Sequence, residues 1–186
     1  MDIIEITQSA EERMQKVVEN TRVEFTKVRT GKASPALLDT VKVSYYGNMV
    51  PIKQVGTINT PEPRLITVQP WERNLIGEIE KAIMKADLGL NPINDGALIR
   101  LPIPQLTEER RKDLVRLCQK LAEEGRVAVR NIRRDSNDKL KKGEKAHEIS
   151  EDQCHTAIDD IQKLTDKNIQ QIDELLKHKE AEVMEV

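Results

Sequence analysis

All eight prolines of this 186-residue chain fall between Pro35 and Pro104, and most of its glycines lie in the same stretch. Proline lacks a backbone donor and clashes with the turn before it, so its distribution separates what can be long helix from what cannot. Two proline-free flanks therefore bracket a middle segment of strands and turns.

The first flank sets Ile3, Ile6, Ala10, Met14, Val17, Phe25 and Val28 at steps of mostly three or four, which predicts an amphipathic helix of about 25 residues. It is expected to end near Thr30-Gly31, where glycine accepts the left-handed conformation and Pro35 prevents the helix from resuming. The middle segment carries the β-type runs Val41 to Tyr46, Met49 to Ile52 and Leu65 to Gln69. Tyr46-Gly47-Asn48-Met49 reads as a two-residue hairpin turn, and Pro51 confines its strand to an edge. A helix with Leu75, Ile79, Ala82, Ile83 and Ala86 on one stripe follows, then a strand from Ala97 to Leu101.

After Pro104 the helical period returns. Thr107 is placed as a cap, Glu108 and Glu109 fill the first turn, and Leu114, Leu117, Leu121, Ala128, Ile132 and Leu140 form the expected seam. Ser150 and Gln153 make a capping box for a last helix with seam Cys154, Ile158, Ile161, Ile172, Leu175 and Val183. Three long seams must bury one another, and a helix of about 35 residues is about 50 Å long. The expected class is α+β: a long antiparallel three-helix bundle (1–30 and 105–186) with an inserted small β/α/β domain (31–104). Two crossings join them, and Thr30, Gly31, Lys32 and Ala33 on one side with Pro102, Ile103 and Pro104 on the other suit a hinge. The alternative is a rigid elbow packed by Leu37 and Leu38.

Charge is 33% of the composition and aromatic residues only 2%, which favours solvated helices over a sandwich or barrel. The formal net charge is −2, but its distribution is two-sided: residues 110–142 hold twelve basic and five acidic side chains, a net of +7, and residues 143–186 hold five and twelve, a net of −7. On a helix turning about 100° per residue, Arg126, Arg130, Arg133 and Arg134 share an arc of about 100°, with Leu121, Ala128, Val129 and Ile132 roughly opposite. Such a ladder asks for a polyanion or for acids folded against it; mutual neutralisation by the acidic last helix is the competing account. No stacking aromatic follows Trp71, so the ladder is expected to read phosphates and shape rather than bases. Asn131, Asn137 and Asp138 flank it, able to reach sugars or merely to solvate it. Gly125 marks either a close approach to the helix backbone or a tolerated defect.

Enzyme classes lack their residues here. No phosphate loop, dinucleotide fingerprint, zinc-protease or nucleophile-elbow motif is present. His147, His155 and His178 lie in the acidic part as expected surface residues, and Cys118 and Cys154 lack metal or redox spacing. No metal site is expected. No apolar run reaches the roughly 20 residues of a membrane span, and M-D-I-I-E-I-T lacks the basic region of a leader, so a cytoplasmic protein is expected. A helical adapter gripping a protein partner is the alternative to nucleic-acid binding.

Four motifs in order, R-T-G-K-A-S-P (Arg29 to Pro35), K-A-I-M-K-A-D-L-G-L-N-P (Lys81 to Pro92), L-T-E-E-R-R-K-D-L (Leu106 to Leu114) and R-V-A-V-R-N-I-R-R-D-S-N-D-K (Arg126 to Lys139), make the chain resemble the ribosome recycling factor family over essentially its whole length. The resemblance implies an L-shaped, tRNA-like monomer that enters the post-termination ribosome and, with elongation factor G and GTP, splits the subunits. It implies that the GTP belongs to the partner and that the chain needs no cofactor. It also implies large-subunit rRNA contacts at Arg126, Arg130, Arg133 and Arg134, with Arg29 and Lys32 at the elbow end; Arg110, Asn131, Asn137 and Lys139 are counted with them as expected rRNA-binding residues. Lys32 stands where the family commonly has arginine, which keeps charge and gives up a bidentate grip.

Overall fold

A computed structural model describes residues 1–185. Its helices are α1 (Ile3–Lys27), α2 (Ile76–Lys85), α3 (Glu108–Lys145) and α4 (Glu151–Met184); its strands are β1 (Lys42–Tyr45), β2 (Asn48–Pro51), β3 (Gly56–Glu62), β4 (Leu65–Pro70), β5 (Ile93–Asn94) and β6 (Ile99–Pro102). Two compact units result, one from Met1–Thr30 with the segment beginning at Glu108, the other Gly31–Thr107.

The helical unit consists of α1, α3 and α4. Asp2 Oδ1 caps α1 by accepting from the Ile4 and Glu5 amides at 2.9 and 3.2 Å. The helix ends at Lys27 because Val28 turns extended, with φ −75° and ψ 113°. Gly31, at φ +80°, is thus not its C-terminal cap, contrary to the sequence reading. The capping box of α4 is present in both directions: Ser150 Oγ accepts from the Gln153 amide at 3.2 Å, and Gln153 Oε1 from the Ser150 amide at 2.9 Å.

The seam of α3 runs through Leu114, Cys118, Ala122, Gly125, Val129, Ile132, Ser136, Leu140 and Gly143. Leu117 is 42% exposed, and Leu121 and Ala128 are only half-buried. The buried line is therefore rotated by roughly 40° from the expected one, toward the arginines. Its small residues are the cause: a seam chosen by hydrophobicity alone passes over Cys118, Ala122, Gly125 and Ser136, yet these let neighbouring helices approach. In α4 likewise, Ala157, Thr165 and Asn168 are buried where Ile158 and Leu175 were expected, and these two are half-buried. Asn168 donates Nδ2 to Leu164 O at 2.7 Å, and its buried Oδ1 has no partner. In α1, Val18 and Thr21 are buried, whereas Val17, Ile3 and Ile6 are half-buried.

Gly125 is a close approach by protein. A Cβ there would lie 2.6 Å from Thr21 Oγ1 and 3.2 Å from Ile172 Cδ1. Thr21 Oγ1 donates to Val17 O at 2.9 Å and gives up that bond if it rotates away. Gly125→Ala is expected to destabilise by about 1–2 kcal/mol despite a better helix former. In a Thr21→Ala background the same change should stabilise by up to about 1 kcal/mol, a reversal of sign readable in urea denaturation midpoints.

The second unit has a β1–β2 hairpin and an antiparallel sheet ordered β3-β4-β6-β5. With α2 these enclose Leu38, Val41, Val43, Ile52, Ile66, Val68, Ile79, Ile83, Ile99 and Leu101. Tyr45 pairs with Asn48, and Tyr46 and Gly47 both have positive φ, at 46° and 81°. The two-residue turn is thus Tyr45 to Asn48, one position earlier than expected. The expected strand beginning at Ala97 begins instead at Ile99. Neither β3 nor β5 was expected: β3 reads G-T-I-N-T-P-E without an apolar alternation, and its edge position tolerates Pro61. Gly56 has a steric reason, since a Cβ would meet Gln69 O at 2.8 Å.

Candidate nucleic-acid interface

The arginine ladder lies on α3 beside its seam, and the angle of each residue from that seam sets its fate. Arg133 and Arg126 sit about 60° and 80° from the seam centre, Arg130 about 120° and Arg134 about 160°. The first two must lie against a neighbouring helix, and the last must face solvent. Arg126 gives Nε and Nη2 to Asp173 Oδ1 of α4, at 2.8 and 2.7 Å, and Nη1 to Glu123 Oε2 at 2.9 Å; its side chain is 21% exposed. Arg130 gives Nη1 to the other oxygen of Glu123 at 3.0 Å and is 41% exposed. Arg133 donates Nη1 to Gln162 Oε1 at 3.0 Å, and Gln162 passes its amide to Asp166 Oδ1 at 2.8 Å. Arg134 is exposed and pairs with no acid among the described residues.

Electrostatics follow these contacts. Hydrogen bonds from Arg126 and then Arg130 hold the Glu123 carboxyl below the usual carboxylate range. Partial burial works against the charge of Arg126, but Glu123 and Asp173 outweigh it, so its guanidinium is held even more firmly protonated than usual. The lowered carboxyl implies a clamp intact at neutral pH, lost only as pH falls through the folded-state value of Glu123. Neutralisation is graded: the acids fasten one end of the ladder and leave Arg134 open.

The flanking residues divide in the same way. Asn131 and Lys139 are exposed; Asn137 is half-buried and its Oδ1 is shut from solvent without a partner. Arg29, Lys32 and Arg110 are exposed along their side chains. Of the expected hinge, Thr30 is tied into the helical unit, its Oγ1 donating to Glu182 Oε1 at 2.9 Å. Ala33 and Ile103 are tied into the other unit, their amides donating to Pro63 O at 2.7 Å and Arg64 O at 2.8 Å, and Pro102 is the last residue of β6, paired with Leu65. Gly31, Lys32 and the run from Pro104 to Thr107 belong to the second unit, and the chain passes between the units at Thr30–Gly31 and Thr107–Glu108.

One feature was not anticipated. Two of the four aromatic residues meet in the second unit at Glu72, which accepts from the hydroxyls of Tyr45 at 3.1 Å and Tyr46 at 3.2 Å; Trp71, the residue before Glu72, donates Nε1 to Thr57 Oγ1 at 3.0 Å and remains 65% exposed. Adjacency in sequence to the hairpin turn was the available signal for the tyrosines, and only folding brings Glu72 to them. Among the described residues no cluster of His, Cys, Asp or Glu is arranged to hold a metal ion, and no helix is long and apolar enough to cross a membrane. Cys118 and Cys154 are free and buried, and the three histidines are exposed.

Comparison with known proteins places these features in context. The model of a family described as "Ribosome recycling factor" matches residues 21–184. A ribosome-recycling factor from Syntrophomonas wolfei is 56% identical over 184 residues, covering 99% of this chain and 100% of the relative. One from Nitratidesulfovibrio vulgaris is 53% identical over 186 residues, covering all of both. A solution structure of ribosome recycling factor aligns with a TM-score of 0.76 at 46% identity, covering 100% of this chain and 99% of that one. A model of the Thermus thermophilus factor, described with Escherichia coli elongation factor G bound to the post-termination complex, aligns with a TM-score of 0.64 at 48% identity over the whole of both chains.

Proposed function

The chain belongs to the ribosome recycling factor family, a family of non-enzymatic translation factors, and from that premise we propose that it binds the post-termination ribosome through large-subunit rRNA. With elongation factor G, it then separates the subunits and frees mRNA and tRNA for a new round. The supporting observation is the open end of the ladder: Arg134 and the solvent side of Arg130, about one turn apart and about 40° apart around the axis, form a cationic surface on a helix of 38 residues. Guanidinium groups without a stacking aromatic beside them suit phosphate contacts, whose strength falls with salt. Arg126 serves first as the α3–α4 tie through Asp173, and presents to rRNA only what that tie leaves free.

The chemistry stays with the partner. Elongation factor G consumes the GTP, while this chain, a cytoplasmic monomer without a cofactor, supplies a stiff anchored body and a second unit joined to it at Thr30–Gly31 and Thr107–Glu108. Displacement of that second unit transmits force to the anchored one. Sedimentation with large ribosomal subunits tests the anchor: binding should fall steeply between about 50 and 200 mM salt. Binding that ignores salt, or survives digestion of the RNA, would remove it. Light scattering tests the outcome, since the chain with elongation factor G and GTP should dissociate post-termination complexes and either protein alone should not.

A further inference from the structure

On the reading that the ladder takes up rRNA phosphates, we propose that the space between Arg126 and Arg130 is a phosphate seat with a built-in stand-in: the Glu123 carboxylate holds the place that a phosphodiester takes over, and so weakens the ladder for any RNA that enters.

The geometry of the seat carries the argument. Glu123 stands one turn before Arg126 and two turns before Arg130, on the same face of α3, and gives one oxygen to each: Oε2 at 2.9 Å from Arg126 Nη1 and Oε1 at 3.0 Å from Arg130 Nη1. A phosphodiester also presents two anionic oxygens on one centre at a similar separation, so it can take both positions. Removing Glu123 would not let Arg126 swing away, because Asp173 holds its Nε and Nη2 from α4. The seat thus keeps one wall whether or not Glu123 is in it. Glu123 is itself 52% exposed and free to rotate outward.

Displacement has an electrostatic penalty. A rotated Glu123 remains on α3 within the Debye length, about 8 Å at physiological salt, and repels the phosphate that replaced it. Exchange of one carboxylate for one isolated phosphate therefore yields little net attraction. The occupied seat therefore holds a phosphate more weakly than the bare pair of guanidinium groups would, whether the RNA is folded or single-stranded.

Wild type, Glu123→Gln and Glu123→Ala are to be compared by fluorescence anisotropy on poly(U) and by sedimentation with large ribosomal subunits. Glu123→Gln should bind poly(U) about three- to tenfold tighter, with a steeper salt slope by up to about one, and large subunits tighter by a similar factor. Glu123→Ala should reproduce the gain, which excludes an effect peculiar to the amide. In an Arg130→Ala background the gain should vanish. An affinity no tighter than wild type on either RNA, or a gain that survives Arg130→Ala, would overturn the proposal. Failure of the rRNA reading has a different mark: the wild type would not sediment with large subunits at all, whatever Glu123 does on poly(U).

Discussion

Replacing Arg130 and Arg134 together by alanine is expected to weaken binding to large ribosomal subunits about thirtyfold near 0.1 M salt and to flatten the salt slope by nearly two. Each exposed guanidinium–phosphate contact is taken at about 1 kcal/mol, below a buried charge-assisted bond because both groups remain solvated, and two such losses multiply to that factor. Both side chains lie away from the α3 seam, Arg130 half-exposed and Arg134 exposed, so far-UV circular dichroism and the melting curve should hardly change. Arg126→Ala offers the contrast. It would strip Asp173 of both hydrogen bonds across α3 and α4 and lower stability by about 1–2 kcal/mol in addition to any effect on binding. Unaltered subunit binding in the Arg130/Arg134 double variant, measured at several salt concentrations, would dismiss the ladder as the anchor.

The second large effect concerns folding. Ile172 is fully buried in α4 and faces Gly125 of α3, so Ile172→Ala is expected to cost about 2–5 kcal/mol by loss of burial and by the cavity left behind. The only tryptophan, Trp71, belongs to the other unit, whereas most of the helix belongs to the unit containing Ile172. Ellipticity near 222 nm should therefore be lost earlier on heating, while the fluorescence transition of Trp71 stays where it was. Joint movement of both signals would mean that the two units unfold as one cooperative body, and the discontinuous-domain description would fail.

The α3 seam shows where sequence reasoning reached its limit. Periodicity located the helix and the side that packs, yet placed the buried line roughly 40° too far from the arginines by preferring Leu117, Leu121 and Ala128. Hydrophobicity scales reward large side chains, whereas a tightly packed three-helix interface also selects small ones, and position 125 takes glycine because Thr21 Oγ1 fills the space of a Cβ. Strand β3 escaped for a related reason: G-T-I-N-T-P-E has weak alternation, and its pairing with β4 through backbone bonds supplies what its side chains do not announce.

The candidate site was legible as a list of cations, not as a set of available ones. Arg126, Arg130, Arg133 and Arg134 follow from counting at helical spacing, but Asp173 and Gln162 lie 47 and 29 residues away from the arginines they engage. The motifs quoted from Arg29 to Lys139 led to the family, and that family is shown by relatives above half identity along essentially the whole chain.

Local signals, which act through neighbours along the chain, are what the amino-acid order settles unaided: the proline-free flanks, the Ser150–Gln153 capping box, the helical stripes and the opposed charges of residues 110–142 and 143–186. The exact line of α3 that is buried, and which guanidinium is bonded away by an acid of α4, were decided only by tertiary packing. The physical reason is range: a cap or a period is satisfied within a turn or two, whereas burial and ion pairing depend on surfaces brought together from distant parts of the chain.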